Sequence, residues 1–192
     1  MTRRRFLFDT PDRFVAGTVG QPRARVFFLQ AREGARIVSV ALEKVQVAAL
    51  AQRLDELLDE LDRRGIEGAA ELPEEEALRR GDTTPLDEPI NEAFRAGTLS
   101  LGWDTTAELV LIEARAITDD EEDDDDLVED PSDDEAEGPD FLRVRVTASA
   151  ARAFVERAVR VLASGRPPCP LCGQPLDPQG HLCPRRNGHL LN

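Results

Sequence analysis

Apolar and polar positions alternate along several short stretches of the chain. Leu142, Val144 and Val146 alternate with Arg143 and Arg145, a period of two that gives a strand one buried face and one wet face. Phe6 and Phe8, Val26 and Phe28, and Leu109 and Leu111 follow the same rule. Elsewhere the period changes. Val47, Leu50, Leu54, Leu57, Leu58 and Leu61 recur at three- and four-residue steps, with Asp55, Glu56, Asp59 and Arg63 on the other side, which predicts an amphipathic helix. A second helix is predicted from about Ala148 to Ser164, carrying Phe154, Ala158, Val161 and Leu162. Thr147 is suited to its N-cap and Gly165 to its stop. Asp104 to Thr106 and Gln21 to Ala24 have the composition of turns between strands.

These elements fall into two similar series. Phe14-Val15-Ala16-Gly17-Thr18 matches Phe94-Arg95-Ala96-Gly97-Thr98, and VFFLQARE from Val26 aligns with LVLIEARA from Leu109 at an offset of 83. A further alternating stretch then feeds a helix, RIVSVAL in one series and FLRVRVT in the other. The helices, judged from Leu50 and Phe154, are offset by 104. The excess of 21 is about the length of an acidic segment, so the second series looks like the first with a loop inserted between two strands. The expected fold class is α+β, with duplicated antiparallel strands-then-helix units and helices packed on a sheet. The expected domain spans 1–165, with repeat one at about 5–63, repeat two at about 92–165 and an acidic insert at 118–139. A tail, 166–192, follows. The stretch from Arg64 to Pro89, rich in Glu, Pro, Gly and Asp, is expected to connect the halves.

Charge changes this picture little. The net charge is −14, but fourteen of the 38 acidic residues lie between Asp119 and Glu137; the other 24 balance the 24 Lys and Arg. Acidity is therefore a property of one loop, which has too little apolar surface to offset its ordering entropy and is expected to be disordered. Lys44 is the one lysine among the 24 basic residues, as codon bias toward arginine produces. No apolar run approaches the roughly 18–20 residues of a membrane span. MTRRRFLFD is basic but has too short an apolar stretch for a signal peptide. Three cysteines, an odd number, argue against a disulfide framework, and a cytoplasmic location is expected.

All three cysteines and both histidines lie in CPLCGQPLDPQGHLCPRRNGHLLN, from Cys169 to Asn192. Cys169 and Cys172 form a CxxC knuckle whose following glycine suits a tight turn. In an extended HxC segment, His181 and Cys183 point the same way. Three thiolates and one imidazole match tetrahedral structural Zn2+. The expected ligands are Cys169, Cys172, His181 and Cys183, with His189, beyond the Asn187-Gly188 turn, as the alternative fourth. A redox reading of CPLC leaves the third cysteine idle and lacks the βα context of thioredoxin motifs. With four protein ligands the ion has no open position for an activated water, so its role is structural. The tail's apolar residues are mainly leucines, too few for a core, and metal binding can supply the missing stabilisation.

FLFDTPDRFVAGTVG, FFLQAREGARIVSVALEK and CPLCGQPLDPQGHLCPRRNG together resemble an actinobacterial family built on a domain of unknown function. The resemblance covers almost the whole chain. It implies the ligand positions Cys169, Cys172, His181 and Cys183, with His189 a less dependable part of the pattern. It also implies a partner, since genes of this family lie beside one for a protein distantly similar to phosphatidylinositol 3- and 4-kinases. No activity carries over.

Three function classes remain. The leading expectation is a structural-zinc accessory or adaptor protein that binds a protein partner, the kinase-like protein being one candidate. A nucleic-acid-binding zinc ribbon is the first alternative. Against it, Arg166, Arg185 and Arg186 are set against Asp177, the tail has no aromatic residue to stack on a base, and the acidic loop repels phosphate. The second alternative is an enzyme using the strand-end carboxylates Glu33 and Glu113, which sit beside Arg32 and Arg115 on equivalent strands. Surface ion pairing is the expected role of these carboxylates. There is no phosphate loop and no G-x-S-x-G elbow, and Trp103 is expected to pack at a strand end.

Overall fold

A computed structural model of the chain describes residues 3–21, 24–66, 82–117, 138–164, 171–172 and 183. Most of the acidic segment and of the tail, including Cys169, His181 and His189, lies outside the described residues. The described elements run β1 (Arg5–Asp9), β2 (Arg13–Val19), β3 (Val26–Glu33), β4 (Arg36–Leu42), α1 (Lys44–Arg63), β5 (Glu92–Asp104), β6 (Leu109–Ala116), β7 (Phe141–Val146) and α2 (Ala148–Ala163). This is a mixed α+β fold with one seven-stranded sheet, ordered β1-β7-β6-β5-β4-β3-β2. No described helix is long and apolar enough to cross a membrane.

Three strands and a helix occur twice in succession. β3 and β6 begin 83 residues apart, β4 and β7 end 104 apart, and α1 and α2 begin 104 apart. Within each half the strands pair antiparallel, through short turns except between β6 and β7, where residues 117–140 intervene. Ala24 N donates to Gln21 O at one turn, and Thr106 N and Ala107 N donate to Asp104 Oδ1 at the other. The joins are parallel, which alternation alone does not reveal. β4 pairs with β5 in parallel, and β1 pairs with β7 in parallel, so β1 flanks the second half as β5 flanks the first.

The sheet is curled. β5 pairs with β4 through Glu92–Arg95 and with β6 from Ala96 onward, changing partner at an irregularity around Gly97. A Cβ on Gly97 would lie 3.1 Å from the Cα of Ile117. Gln46, in the first turn of α1, fixes this corner: its Nε2 donates to Ala96 O and Gly97 O while its Oε1 accepts from Glu43 N. In a flat sheet, strands spaced ~4.8 Å apart would put β1 about 19 Å from β4. Instead, Arg36 on β4 donates to Leu7 O on β1 at 2.9 Å, and the rings of Phe6 and Phe94 lie 6.2 Å apart.

Both helices pack on one face of this sheet. Val47, Leu50, Leu54, Leu58 and Leu61 of α1 and Phe154, Val155 and Ala158 of α2 meet Phe8, Phe14, Leu29, Val40, Ile112 and Val144 in the main core. Trp103 packs half-buried at its border. Thr147 caps α2 by accepting from Ala150 N. The opposite face has a second, small apolar cluster of Val15, Phe28, Ala41 and Leu86. Leu86 belongs to the Arg64–Pro89 stretch expected only to connect the halves; with Ile90 just beyond it, it instead covers this face. Gly17 allows the approach, because a Cβ there would lie 2.5 Å from Leu86 Cγ.

The contact predicts the behaviour of Gly17→Ala. Displacing a buried leucine in a packed layer costs about 1–3 kcal/mol. In urea denaturation, Gly17→Ala should lose that much, and the Gly17→Ala/Leu86→Ala pair less than the sum of its single losses.

Candidate functional site

The sheet face opposite the helices carries buried polar side chains in two sets at equivalent places, apart from the buried Arg152 and Arg157 on α2. In the first half Gln30 lies directly across from Ser39, and in the second Glu113 lies across from Arg143. The two pairs are separated by the same offsets of 83 and 104 residues that relate the elements.

The first set is closed by residues 82–91. Gln30 Nε2 donates to Ser39 Oγ and to Asp87 O, each at 3.0 Å, and its Oε1 accepts from Asp87 N at 2.8 Å. Two arginines clamp the same segment. Arg13 reaches Asp82 and Asp87 with its guanidinium and donates to Thr84 Oγ1. Arg157, buried on α2, donates to Ala16 O and Thr84 O at 2.7 Å, and also to Asp82 O. Burial alone would raise the Asp82 carboxyl. Hydrogen bonds from Arg13 and Thr84, with the nearby charge of Arg157, outweigh it and hold the group well below the usual carboxylate range. The cleft beside these residues, floored by Phe14 and Phe154, has a volume of about 180 Å³. This set is a clasp whose charges are paired with one another.

The second set is centred on a carboxylate. Glu113 is 4% exposed, and its two oxygens take Arg115 Nε and Arg143 Nε at 2.7 Å. The expectation of surface ion pairing therefore fails for Glu113, which is buried beneath two guanidinium groups, whereas Glu33 is exposed beside the β3–β4 turn. Strand-end position had suggested solvent, but the register places Glu113 in mid-strand between Ser100 and Arg143. Phe141 adjoins this set, paired in register with Arg115 on β6 and Arg5 on β1. The Arg3 guanidinium lies over the Phe141 ring at 4.3 Å and that of Arg143 at 5.3 Å, both in cation–π range.

A third feature is a groove on the helical side. Leu50, Leu57, Leu99 and Leu101 form an apolar floor between α1 and β5, with Arg53 and Glu56 on its rim, enclosing about 710 Å³. That volume falls within the range of sites that hold a ligand or a short peptide segment. α1 crosses the long β5 without covering its second half, which leaves Leu99 and Leu101 half-buried.

Of the expected metal ligands, Cys172 and Cys183 are described. Cys172 is half-buried and Cys183 is 5% exposed. Cys169, His181 and the alternative ligand His189 lie outside the described residues. The donor set of three thiols and an imidazole suits zinc chemically.

Sequence reasoning missed Arg3, Arg13, Gln30, Asp82, Arg152 and Arg157 as organising residues. Two of them carried a signal. Arg152 and Arg157 interrupt the α2 stripe of Ala151, Phe154, Val155 and Ala158, and both are buried; Arg152 donates to Asp55 and Asp59 across the helix pair.

Two outcomes follow from these charges. Glu113→Leu leaves two guanidinium groups facing an apolar side chain, and should cost about 3–5 kcal/mol in urea denaturation. Asp82 titrates lower in the folded chain than in the unfolded one, so its contribution is complete above the unfolded value of about 3.9 and is lost as pH falls toward the folded value. The stability difference between wild type and Asp82→Asn should therefore be constant from pH 7 to about 5 and shrink below about 4.

No curated protein and no solved structure matched the chain. A family model described as "Protein of unknown function (DUF3090)" matches residues 6–183, from the first strand through both halves to the last cysteine. The chain belongs to that family.

Proposed function

We propose that the protein is a structural-zinc accessory or adaptor protein whose α+β body arose by duplication and whose tail holds one zinc ion. Its surface engages a protein partner. The observation that carries the reading is the groove between α1 and β5, with its leucine floor and charged rim. Such a groove suits an amphipathic segment that inserts apolar side chains and meets Arg53 and Glu56 at the edge. The kinase-like protein implied by the family resemblance is the first partner to try. The matching offsets of elements and of the Gln30–Ser39 and Glu113–Arg143 pairs support duplication. Cys169, Cys172, His181 and Cys183 would hold the ion, which supplies tail folding and no reaction step.

Zinc content and partner capture test the two parts separately. The full chain should carry one zinc, and Cys172→Ser and Cys183→Ser should lose it. His181→Ala should lose it too, while His189→Ala keeps it; the reverse pattern would move the fourth ligand to His189. For the partner, purified kinase-like protein should bind the wild-type chain and bind Leu101→Glu at least about tenfold more weakly, a change of ~1.4 kcal/mol. Equal binding by both would remove the groove from the reading.

A further inference from the structure

Strand pairing matches the two halves residue by residue and sets a filled place in one against an open groove in the other. Ala16 pairs with Leu29 and Leu101 with Ile112; Leu29 and Ile112 are themselves 83 apart, so Leu101 stands where Ala16 stands in the first half. This offset of 85 differs from the 80 between the Phe14–Thr18 and Phe94–Thr98 match, because register follows strand partners rather than local sequence. The helices begin 104 apart, which sets Leu50 with Phe154 and Arg53 with Arg157. The groove floored by Leu50, Leu99 and Leu101 is therefore the counterpart of the place bounded by Phe154, Phe14 and Ala16.

In the first half the chain itself occupies that place. Arg157 donates to Ala16 O at the strand edge and, beyond it, to the carbonyls of Asp82 and Thr84, while its Nη1 lies 3.0 Å from the Asp82 carboxylate. Carbonyls two residues apart lie on one side of an extended backbone. Leu86 then crosses the strand at Gly17. In the second half these fittings have no described counterpart of Asp82 and Thr84. Pairing of β5 with β4 ends at Arg95, so among the described residues no strand covers that edge at residues 98–104. Arg53 is exposed and meets no acceptor among the described residues, although Glu56 lies one turn along. Gly102, the counterpart of Gly17, would bring an added Cβ no closer than 3.8 Å to Leu111. Leu50 and Leu99 stand where Phe154 and Phe14 stack, and the space encloses about 710 Å³.

We propose that this groove takes an extended acidic segment of a partner protein, which wraps over the β5 edge with backbone carbonyls and one carboxylate on Arg53 and an apolar side chain at Gly102. The proposal rests on the reading that a protein partner engages the groove, and adds the segment's conformation and charge. A helical segment has its interior carbonyls already bonded and cannot serve Arg53 in this way. Charge complementarity sets the number of acids. The first half holds Asp82 and Asp87 with Arg13 and Arg157, whereas at the groove Thr98 stands in place of Arg13 and Glu56 in place of Arg160. One guanidinium is left, so one carboxylate fits and a second would meet Glu56. The spacing follows Asp82 and Leu86, with the apolar residue four after the acid.

The probe is the acetylated, amidated peptide Asp-Thr-Thr-Pro-Leu, the sequence of residues 82–86, titrated into the isotope-labelled full chain and followed by amide chemical shifts. Saturable shifts at residues 98–104 and at Arg53 are expected. Arg53→Gln, a change at an exposed helix position, should bind the peptide about tenfold more weakly, and so should wild type with a peptide carrying Asn for Asp. No shifts at millimolar peptide, shifts centred elsewhere, or equal affinity for Arg53→Gln would overturn the proposal. Before peptide is added, nuclear Overhauser contacts from Leu101 to a second copy in a mixed-label sample, or to a chain segment other than those lining the groove, would overturn it too. The Leu101→Glu comparison separates this proposal from the reading beneath it. A partner protein lost with Leu101→Glu but indifferent to Arg53→Gln keeps the groove and defeats the extended acidic segment. Peptide binding at Arg53 without capture of the kinase-like protein supports the site and discards that partner.

Discussion

A guanidinium taken out of water must find acceptors for its N–H groups, and Arg157 finds them in three places at once. It sits on α2, in the second half of the chain, and donates to Ala16 O on β2, the far edge strand of the first half. It also donates to the backbone at Asp82 and Thr84, in the segment that leads from one half to the other. Its buried position lowers its affinity for the proton, with the nearby Asp82 only partly compensating, yet an arginine starts so high that it stays charged. The result is a single knot through helix, sheet edge and crossover. α2 cannot leave without uncovering the opposite side of the sheet.

That knot explains why the two halves are not independent. Stacking of Phe14 on Phe154, with ring centroids 4.9 Å apart, joins the same two elements within the core. Arg152 ties α2 to α1 through Asp55 and Asp59, and the curled sheet brings β1 onto the strands at the junction. Each half therefore completes the other. Equivalent positions differ accordingly: where the first half uses a neutral amide and a hydroxyl at Gln30 and Ser39, the second uses a charged pair at Glu113 and Arg143. A neutral pair can be closed by backbone groups from Asp87, while a charged set also needs charged neighbours, and Arg115 answers that need.

Periodicity revealed most of this architecture in advance, because burial on one side of a strand or helix writes itself into spacing. The limits of β3, β6 and α2, the apolar face of α1, the Thr147 cap and the turn at Asp104 were legible for that reason. The parallel joins were not, since side chains alternate identically whichever way a neighbour runs. Residues 82–91 looked like a plain connection because Leu86 is one apolar residue among polar ones, and only Gly17 across the sheet reveals its seat. Glu113 looked like a surface charge because nothing local distinguishes a carboxylate beside one arginine from one held between two. Arg143, its second partner, is 30 residues away in sequence. The groove was illegible too, as it depends on where α1 crosses β5. The spacing of cysteines and histidines, by contrast, is a local signal, and it was visible at once.

The place of β1 has a consequence for how the polypeptide reaches this state during synthesis. Arg5 pairs with Phe141, so β1 waits for 136 further residues before its hydrogen-bonding partner exists. At ribosomal speeds of about 5–20 residues per second, that delay is roughly 7–27 seconds. Throughout it, Phe6 and Phe8 lack their strand partners Leu142 and Val144, while β2, β3, β4 and α1 can already associate. The nascent chain therefore carries an apolar, unpaired strand while the first half assembles beside it. Its charged prefix, with Arg3, Arg4 and Arg5, is a gatekeeper of the kind that keeps such a strand from pairing with a stranger.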